Sequence, residues 1–141
     1  MSSKFELQSS RVNNEEHTSN TKMLAIVIPF YRYDFFDETI KSLVNQTNQN
    51  FNLYIGDDCS ENIISDLIEL NSLPFKVHFK RFSENMGFKN LGGHFSRCVD
   101  LTKEEEWVMI LGDDDFLEEC CVQDFYTHLN EIENLDINVV Q

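Results

Sequence analysis

Residues 23–30, with the sequence MLAIVIPF, decide the fold of this chain. Every residue of the run is apolar, many are branched, and Pro29 stands next to its end. A strand without polar positions is covered on both faces, as the strands of parallel sheets are. The run therefore predicts a buried strand at the start of an α/β domain.

Strand and helix patterns alternate along the rest of the chain. The predicted strands cover residues 23–30, 51–58 (FNLYIGDD), 75–82 (FKVHFKRF) and 106–111 (EWVMIL), and a fifth begins at 137–141 (INVVQ). Helical spacing after each of the first four predicts four helices, marked by Phe36, Ile40, Leu43 and Val44; Ile64, Leu67 and Ile68; Leu91, Phe95, Cys98 and Val99; and Val122, Phe125, Tyr126, Leu129 and Ile132. Asp34 and Ser60 are the predicted caps of the first two helices. The alternation indicates an open, mostly parallel sheet with helices on both faces, incomplete at its C-terminal end, with the third strand nearer an edge.

The composition indicates one acidic globular domain. At 141 residues and 41% apolar content, the chain is long enough to fold around a core. Residues 1–22, rich in Ser, Asn, Glu and Thr, are predicted to be a flexible leader, and residues 23–141 the domain. The formal charge of −14 argues against a nucleic-acid surface, so a phosphorylated ligand would need a metal ion or a few local cations.

The chain lacks the patterns of export and of structural zinc. No run approaches the ~20 apolar residues that span a bilayer, and the N-terminus has no signal-peptide pattern. The four cysteines, at positions 59, 98, 120 and 121, do not have zinc-binding spacing. We therefore expect a cytoplasmic protein with reduced thiols.

Polar residues, together with a proline and a glycine, stand at the ends of all four predicted strands. They are Pro29, Tyr31 and Arg32 after the first, Asp57 and Asp58 after the second, Asn85 and Gly87 after the third, and Asp113, Asp114 and Asp115 after the fourth. Right-handed crossovers bring the carboxyl ends of parallel strands to one edge, where open sheets bind ligands. We call this edge the rim and expect these residues to line it.

Three consecutive acids, Asp113, Asp114 and Asp115, stand in the sequence ILGDDDFL. One acid would suffice to cap the next helix, so three favour a divalent cation over a solvated turn. The segment DDDFLEECCVQD lacks the glycine and the alternating ligands of an EF-hand. Mg²⁺ or Mn²⁺, held by one or two carboxylates and by ligand phosphates, fits better.

Asp57 and Asp58 have both a structural and a functional interpretation. They fit a strand-to-helix turn, and a carboxylate there also accepts a hydrogen bond from a nucleobase N–H. Two acidic clusters on one rim are also a feature of phosphoacceptor receiver domains, in which the acids follow a different strand order. The turn interpretation and the base-binding interpretation both stay open on the residues alone.

The remaining polar residues are weaker candidates. SENMGFKN predicts a turn with positive φ. Lys89 and Arg97, near the third helix, fit a solvated helix face better than a ligand contact, whereas Arg32 is better placed to meet a phosphate. His78 and His94 are isolated, and we assign them no chemistry.

Four segments, in this order and spacing, resemble the N-terminal half of family 2 glycosyltransferases with the GT-A fold. They are IVIPFYRY, SLVNQTNQNFNLYIGDDCS, ENMG and EWVMILGDDDFL, and the resemblance covers residues 23–129. SLVNQT supports it especially, because this segment has no evident chemistry of its own. LGGHFSRCVDL resembles a sub-branch with an Arg-Cys pair before the acidic motif.

The resemblance implies roles for the rim residues. Asp58 would bind the base of a nucleoside diphosphate sugar, and the acidic triplet is similar to the family's DxD motif, with Gly112 where its first acid often stands. The implied substrate-binding residues are Pro29, Tyr31, Arg32, Asp57, Asp58, Asn85, Gly87, Lys89 and Asp113. Asp114, supported by Asp115, is the implied ligand of Mn²⁺ or Mg²⁺.

The resemblance also implies a reaction. It is an inverting, metal-dependent transfer of a sugar from the nucleoside diphosphate donor to an acceptor hydroxyl, with a carboxylate base expected beyond Gln141. A glycan or lipid-linked sugar acceptor, a place in polysaccharide biosynthesis and peripheral contact with the inner face of a membrane are further implications. The alternative is a truncated nucleotide-binding module without transferase activity.

Overall fold

The computed structural model describes residues 23–64 and 68–140, which contain a four-stranded parallel sheet. The strands are β1 (Leu24–Phe30), β2 (Phe51–Asp57), β3 (Lys76–Arg81) and β4 (Trp107–Ile110). The helices are α1 (Phe36–Val44), α2 (Leu91–Val99) and α3 (Cys121–Asn134), with a 3₁₀ turn at Leu70–Ser72. The predicted α/β class is confirmed.

The strand order is β3-β2-β1-β4, so β1 lies inside the sheet. β1 pairs with β2 along its whole length, from Leu24 to Phe30, and with β4 from Leu24 to Val27. All seven of its residues are buried, as its uninterrupted apolar sequence predicts. β3 is the edge strand expected from its alternating sequence, with four of its six residues exposed.

Each face of the sheet has its own core. On one face, Ile28 packs in a cluster with Leu43 of α1 and Val122 of α3. On the other face, Val27 packs in a smaller cluster with Cys98 of α2. Neighbouring residues of β1 thus serve opposite cores, as the alternation of side chains along a strand requires.

Neither predicted helix cap is found in the structure. Phe35, not Asp34, occupies the N-cap position of α1, and no side chain caps this helix. A turn in which Phe36 N donates to Tyr33 O (2.9 Å) leads into the helix instead. Ser60 lies four residues before Ile64, the first described helical residue after β2, and so does not occupy the predicted N-cap position; its Oγ donates to Asn62 O (2.6 Å).

Several sequence predictions lie wholly or partly outside the described residues. These include the leader at 1–22, Leu67 in the second predicted helix, and Gln141 in the fifth predicted strand. The rest of that strand, residues 137–140, is described, and it is exposed and not paired with any described strand. None of the helices in the described ranges is long and apolar enough to cross a membrane.

Candidate functional site

Asp113 joins the loop after β4 to the loop after β1. Its Oδ2 accepts hydrogen bonds from the backbone amides of Tyr31 (2.8 Å) and Arg32 (2.7 Å). The two loops are neighbours because β1 and β4 pair in parallel up to Val27 and Ile110. The predicted convergence of these loops is therefore present, and Asp113 fixes one against the other.

Asp114 and Asp115 have exposed carboxylates that accept no hydrogen bond from any residue within 23–64 or 68–140. Both lie over Gly112, where an added Cβ would stand 2.6 Å from Asp115 Oδ2 and 3.2 Å from Asp114 Oδ1. Oxygens from two side chains thus converge on a space that a larger residue at position 112 would fill. A side chain at position 112 would therefore have to displace these two exposed carboxylates.

The oxygen donors of this pair fit a hard divalent cation. Mg²⁺ and Mn²⁺ prefer carboxylate oxygens and commonly share their coordination sphere with ligand phosphates. Within the described parts of the chain, no three His, Cys, Asp or Glu side chains are grouped to hold a metal. A metal ion at Asp114 and Asp115 would therefore need further ligands besides the side chains grouped here.

Asp58 lies at the end of β2 with a carboxylate that is almost fully enclosed. It is 2% exposed, and its Oδ1 and Oδ2 accept hydrogen bonds from the amides of Met86 (2.7 Å) and Gly87 (2.8 Å). Arg97 Nη2 also lies 2.5 Å from Oδ1. Asp58 thus organises the turn after β3 and is neutralised by a cation from α2.

Arg97 is held on both sides of its ion pair with Asp58. Its guanidinium lies 3.9 Å above the ring of Phe82, and its Nε donates to Nδ1 of His94 (3.0 Å). An acceptor Nδ1 makes His94 the neutral Nε2–H tautomer, so its 3.5 Å approach to Asp58 is not an ion pair. Burial, together with the charge of Arg97, holds the pKa of His94 below its ordinary value against the opposing effect of Asp58.

Asp57 points into the protein rather than toward the rim. It is fully buried, its Oδ1 accepts from Ser60 N (2.9 Å), and its Oδ2 accepts from Arg81 Nη1 (2.9 Å). Between Asp57 and Ser60, Cys59 has a left-handed backbone conformation with a φ of 57°. The Asp57 side chain therefore stabilises a tight turn, and the burial of both acids argues against a phosphoacceptor site.

The turn after β3 differs from its predicted conformation. None of the described glycines has a positive φ. Gly87 is required for space instead, because a Cβ there would stand 2.6 Å from Asp58 Oδ2. Asn85 Nδ2 donates to Asp58 O (3.1 Å), while the Lys89 side chain is exposed.

The residues predicted after β1 divide into two groups. Pro29 lies within β1, buried and paired with Gly56, so it does not reach the rim. The side chains of Tyr31 and Arg32 are exposed beside the acidic loop. The structure thus brings Tyr31, Arg32 and the acidic triplet together, whereas Pro29 is buried within the sheet.

Two arginines of this region, Arg81 and Arg97, form ion pairs that the sequence did not predict. Arg97 was expected on a solvated helix face, but its side chain is only 19% exposed and pairs with Asp58. Arg81 pairs with Asp57 through the register of β2 and β3, in which these two residues stand side by side. A strand alignment places Arg81 opposite Asp57, whereas the contact of Arg97 depends on tertiary packing.

The comparison with protein families agrees with this geometry. The profile of Glycosyl transferase family 2 matches residues 25–140, which includes every strand and helix described above except Leu24, the first residue of β1. The chain belongs to glycosyl transferase family 2. An uncharacterized glycosyltransferase of Haemophilus influenzae is 34% identical over 104 residues, which are 70% of this chain and 32% of that protein.

Solved structures show the same fold. S. aureus TarS matches with a TM-score of 0.68 at 18% identity over 78% of this chain and 20% of that chain. A TarS fragment (residues 1–349) in complex with UDP gives a TM-score of 0.69 at 19% identity, with 78% of this chain and 32% of that chain covered. The same fragment with UDP-GlcNAc gives 0.64 at 19% identity and the same coverage. The chain therefore shares its α/β fold with TarS and spans about a third of the length of the Haemophilus influenzae glycosyltransferase.

Proposed function

We propose that this chain forms the nucleotide-sugar-binding half of a family 2 glycosyltransferase. The observation that carries the proposal is the arrangement of the acidic triplet: Asp113 is bonded to the loop after β1, while Asp114 and Asp115 present unpaired carboxylates over Gly112. One acid is structural and two are available to a ligand. Family membership and the UDP complexes of TarS support a nucleoside diphosphate as that ligand.

Asp114 and Asp115 are the proposed ligands of Mn²⁺ or Mg²⁺. Because the formal charge is −14, the protein repels a negatively charged diphosphate unless a cation binds with it. A bound divalent ion would act as a Lewis acid that stabilises negative charge on the departing diphosphate. Arg32, exposed beside the triplet, is the proposed protein cation for the same phosphates.

The base and ribose are proposed to lie between the loops after β1, β2 and β3. Tyr31 offers an exposed aromatic ring, and Asn85 and Lys89 offer exposed polar groups. Asp58 Oδ2 accepts one hydrogen bond here, so one acceptor position is left for a base N–H. Because Asp58 is enclosed, this contact requires a displacement of the turn at Met86 and Gly87.

The finer features of the reaction rest on family membership alone. They are inverting transfer, a carboxylate base beyond Gln141, and a glycan or lipid-linked sugar acceptor. A role in polysaccharide biosynthesis at the cytoplasmic face of a membrane belongs to the same proposal. In this proposal, the described residues bind and orient the donor, and the residues that bind the acceptor lie outside them.

Calorimetric titration tests the proposal. UDP, GDP, ADP and CDP are each titrated into the chain with Mn²⁺ and with EDTA. We expect at least one diphosphate to bind in a Mn²⁺-dependent way and the substitution Asp114→Ala to weaken it at least about tenfold. Glu133→Ala, which removes one exposed carboxylate from α3, is the charge-matched control. Equal binding by Asp114→Ala, or no binding of any of the four diphosphates, would overturn the proposal.

A further inference from the structure

The segment that follows α1 makes contacts that the proposed site does not use. Gln46 is 4% exposed, and its amide is bonded on both sides: Nε2 donates to Glu118 O (2.7 Å), and Oε1 accepts from Val122 N (3.1 Å). Thr47 donates twice to Glu119 O, from its backbone N (2.9 Å) and from Oγ1 (3.2 Å). The Gln-Thr pair of SLVNQT is thus attached to the loop that carries the acidic triplet.

Two polar residues of α1 reach the same loop. Thr39, which is 1% exposed, shares the proton of Oγ1 between Asp113 O (3.2 Å) and Phe35 O (3.3 Å). Ser42 Oγ accepts from Leu117 N (3.1 Å). Thr39, Ser42 and Gln46 are three and four positions apart, so they stand on one side of the helix and its extension. We call these three residues the polar stripe.

The contacts of the polar stripe lie on both sides of the two exposed acids. Thr39 holds the carbonyl of Asp113, immediately before Asp114, and Ser42 holds the amide of Leu117, two residues after Asp115. The stripe itself does not contact the carboxylates of Asp114 or Asp115. The stripe therefore fixes the backbone of the loop before Asp114 and after Asp115.

The burial of the stripe makes this arrangement stable. If the loop moved away, Gln46 would lose its partners Glu118 O and Val122 N, its Oε1 would be left without a donor, and only the bond from Nε2 to Ser42 O (3.2 Å) would remain. An unpaired buried polar group costs more free energy than a single hydrogen bond contributes. The loop conformation seen here is thus the one in which the amide of Gln46 is satisfied.

We propose that the polar stripe positions the acidic loop, so that the carboxylates of Asp114 and Asp115 converge over Gly112 for a metal-bound diphosphate. The inference rests on the proposed function, since it assigns a task to residues that serve the same site. Thr39, Ser42 and Gln46 are positioning residues and do not touch the ligand. They give a physical role to a motif that has no evident chemistry of its own.

The first measurement follows single backbone amides by hydrogen exchange and NMR. Ser42→Ala removes the acceptor of Leu117 N, and Gln46→Met removes the acceptor of Val122 N. We expect exchange at the affected amide to rise about fivefold or more, which corresponds to the loss of one hydrogen bond. Amides of β1, such as Ile28, should keep their wild-type protection. An equal rise in β1 would show general destabilisation and overturn the inference.

The second measurement couples the stripe to the metal. Mn²⁺ is titrated with the tightest-binding of UDP, GDP, ADP and CDP into wild type, Thr39→Val and Ser42→Ala. We expect about five- to tenfold weaker binding in each variant. The same change in an Asp114→Asn background should weaken binding less than it does in wild type, because one of the two coupled carboxylates is already lost. Thr102→Val and Ser72→Ala, which remove hydroxyls bonded to Val99 O and Glu69 O, are the matched controls.

The outcomes separate this inference from the function on which it rests. Wild-type binding with unchanged affinity in both stripe variants overturns the positioning role alone. Additive losses in the Asp114→Asn background also overturn it, because the stripe then acts independently of that carboxylate. If wild type binds none of the four diphosphates, the proposed function falls and the inference falls with it.

Discussion

Asp58 and Arg97 form an ion pair that is nearly closed to solvent, with side chains that are 2% and 19% exposed. The pair joins the end of β2 to α2 and holds the turn after β3 through the second oxygen of Asp58. Buried carboxylates are tolerated when a cation and backbone amides surround them, and Asp58 has both. The base side of the proposed site is therefore built around a neutralised acid.

Removing the arginine should destabilise the fold. We expect Arg97→Met to lower the free energy of unfolding by about 2–4 kcal/mol, because it leaves Asp58 buried with only its amide partners. Chemical denaturation measures this. Lys41→Met breaks the exposed ion pair with Asp37 and should leave the free energy of unfolding nearly unchanged. Similar losses in the two variants would contradict the special role of Arg97.

Gly87 should tolerate no side chain, whereas Gly92 should. A Cβ at Gly87 would stand 2.6 Å from Asp58 Oδ2, so Gly87→Ala should cost about 1–3 kcal/mol and weaken nucleotide binding. At Gly92 the nearest atom would be Asn90 Oδ1 at 3.9 Å, and the residue lies in α2. Gly92→Ala should therefore stabilise the chain by about 0.5–1 kcal/mol. Thermal unfolding of both variants checks the contrast, which an equal response would refute.

The three acids of the triplet should separate into one structural and two functional residues. Asp113→Ala removes the acceptor of two backbone amides and should lower the free energy of unfolding by about 1–2 kcal/mol. Asp114→Ala and Asp115→Ala remove carboxylates that have no protein partners. Each should leave the free energy of unfolding unchanged or slightly higher, because it removes repulsion between neighbouring like charges. Denaturant titration of the three variants at one pH decides this. A loss at Asp114 as large as at Asp113 would argue against the division.

Glu105, in the loop before β4, should make stability depend on acid pH. Burial by itself would raise the pKa of Glu105, but hydrogen bonds from Asn52, from the Lys103 amide and from Tyr54 outweigh it and lower this pKa to about 2. Because the pKa is lower in the folded state, ionised Glu105 stabilises the fold fully at pH values above its unfolded pKa of 4.5. This contribution is lost as the pH falls toward 2. Wild type should therefore lose more stability than Glu105→Gln over this range. Parallel curves of unfolding free energy against pH would contradict the assignment.

Local pattern was enough to predict the sheet. The apolar run in β1 can only be buried on both faces, and Asp57, Asp58 and the acidic triplet follow strands whose carboxyl ends must meet. The cap at Asp34 was wrong because a backbone turn at Tyr33 replaces a side-chain cap. The strand expected at 137–140 has the right composition but no partner strand among the described residues.

Contacts between distant residues could not be predicted in this way. Arg97 meets Asp58 across 39 positions, and Gln46 meets Val122 across 76, so neither contact leaves a local pattern. The burial of Pro29 follows from the predicted strand at residues 23–30, which contains it, so its expected place at the rim was wrong on the same pattern. The sequence therefore indicates which residues approach the rim, and the packing decides which of their groups remain available.

The most direct test of the central claim is where Mn²⁺ binds when a nucleoside diphosphate is present. Substoichiometric Mn²⁺ broadens the NMR signals of nearby nuclei, so the broadened backbone amides locate the ion. We expect the amides of Gly112, Asp114 and Asp115 to broaden first, and those of Tyr31 and Arg32 next. This pattern should be lost in Asp114→Asn and kept in Glu133→Gln. Broadening centred elsewhere, or unchanged in Asp114→Asn, would contradict the claim that this rim holds a metal-bound nucleotide.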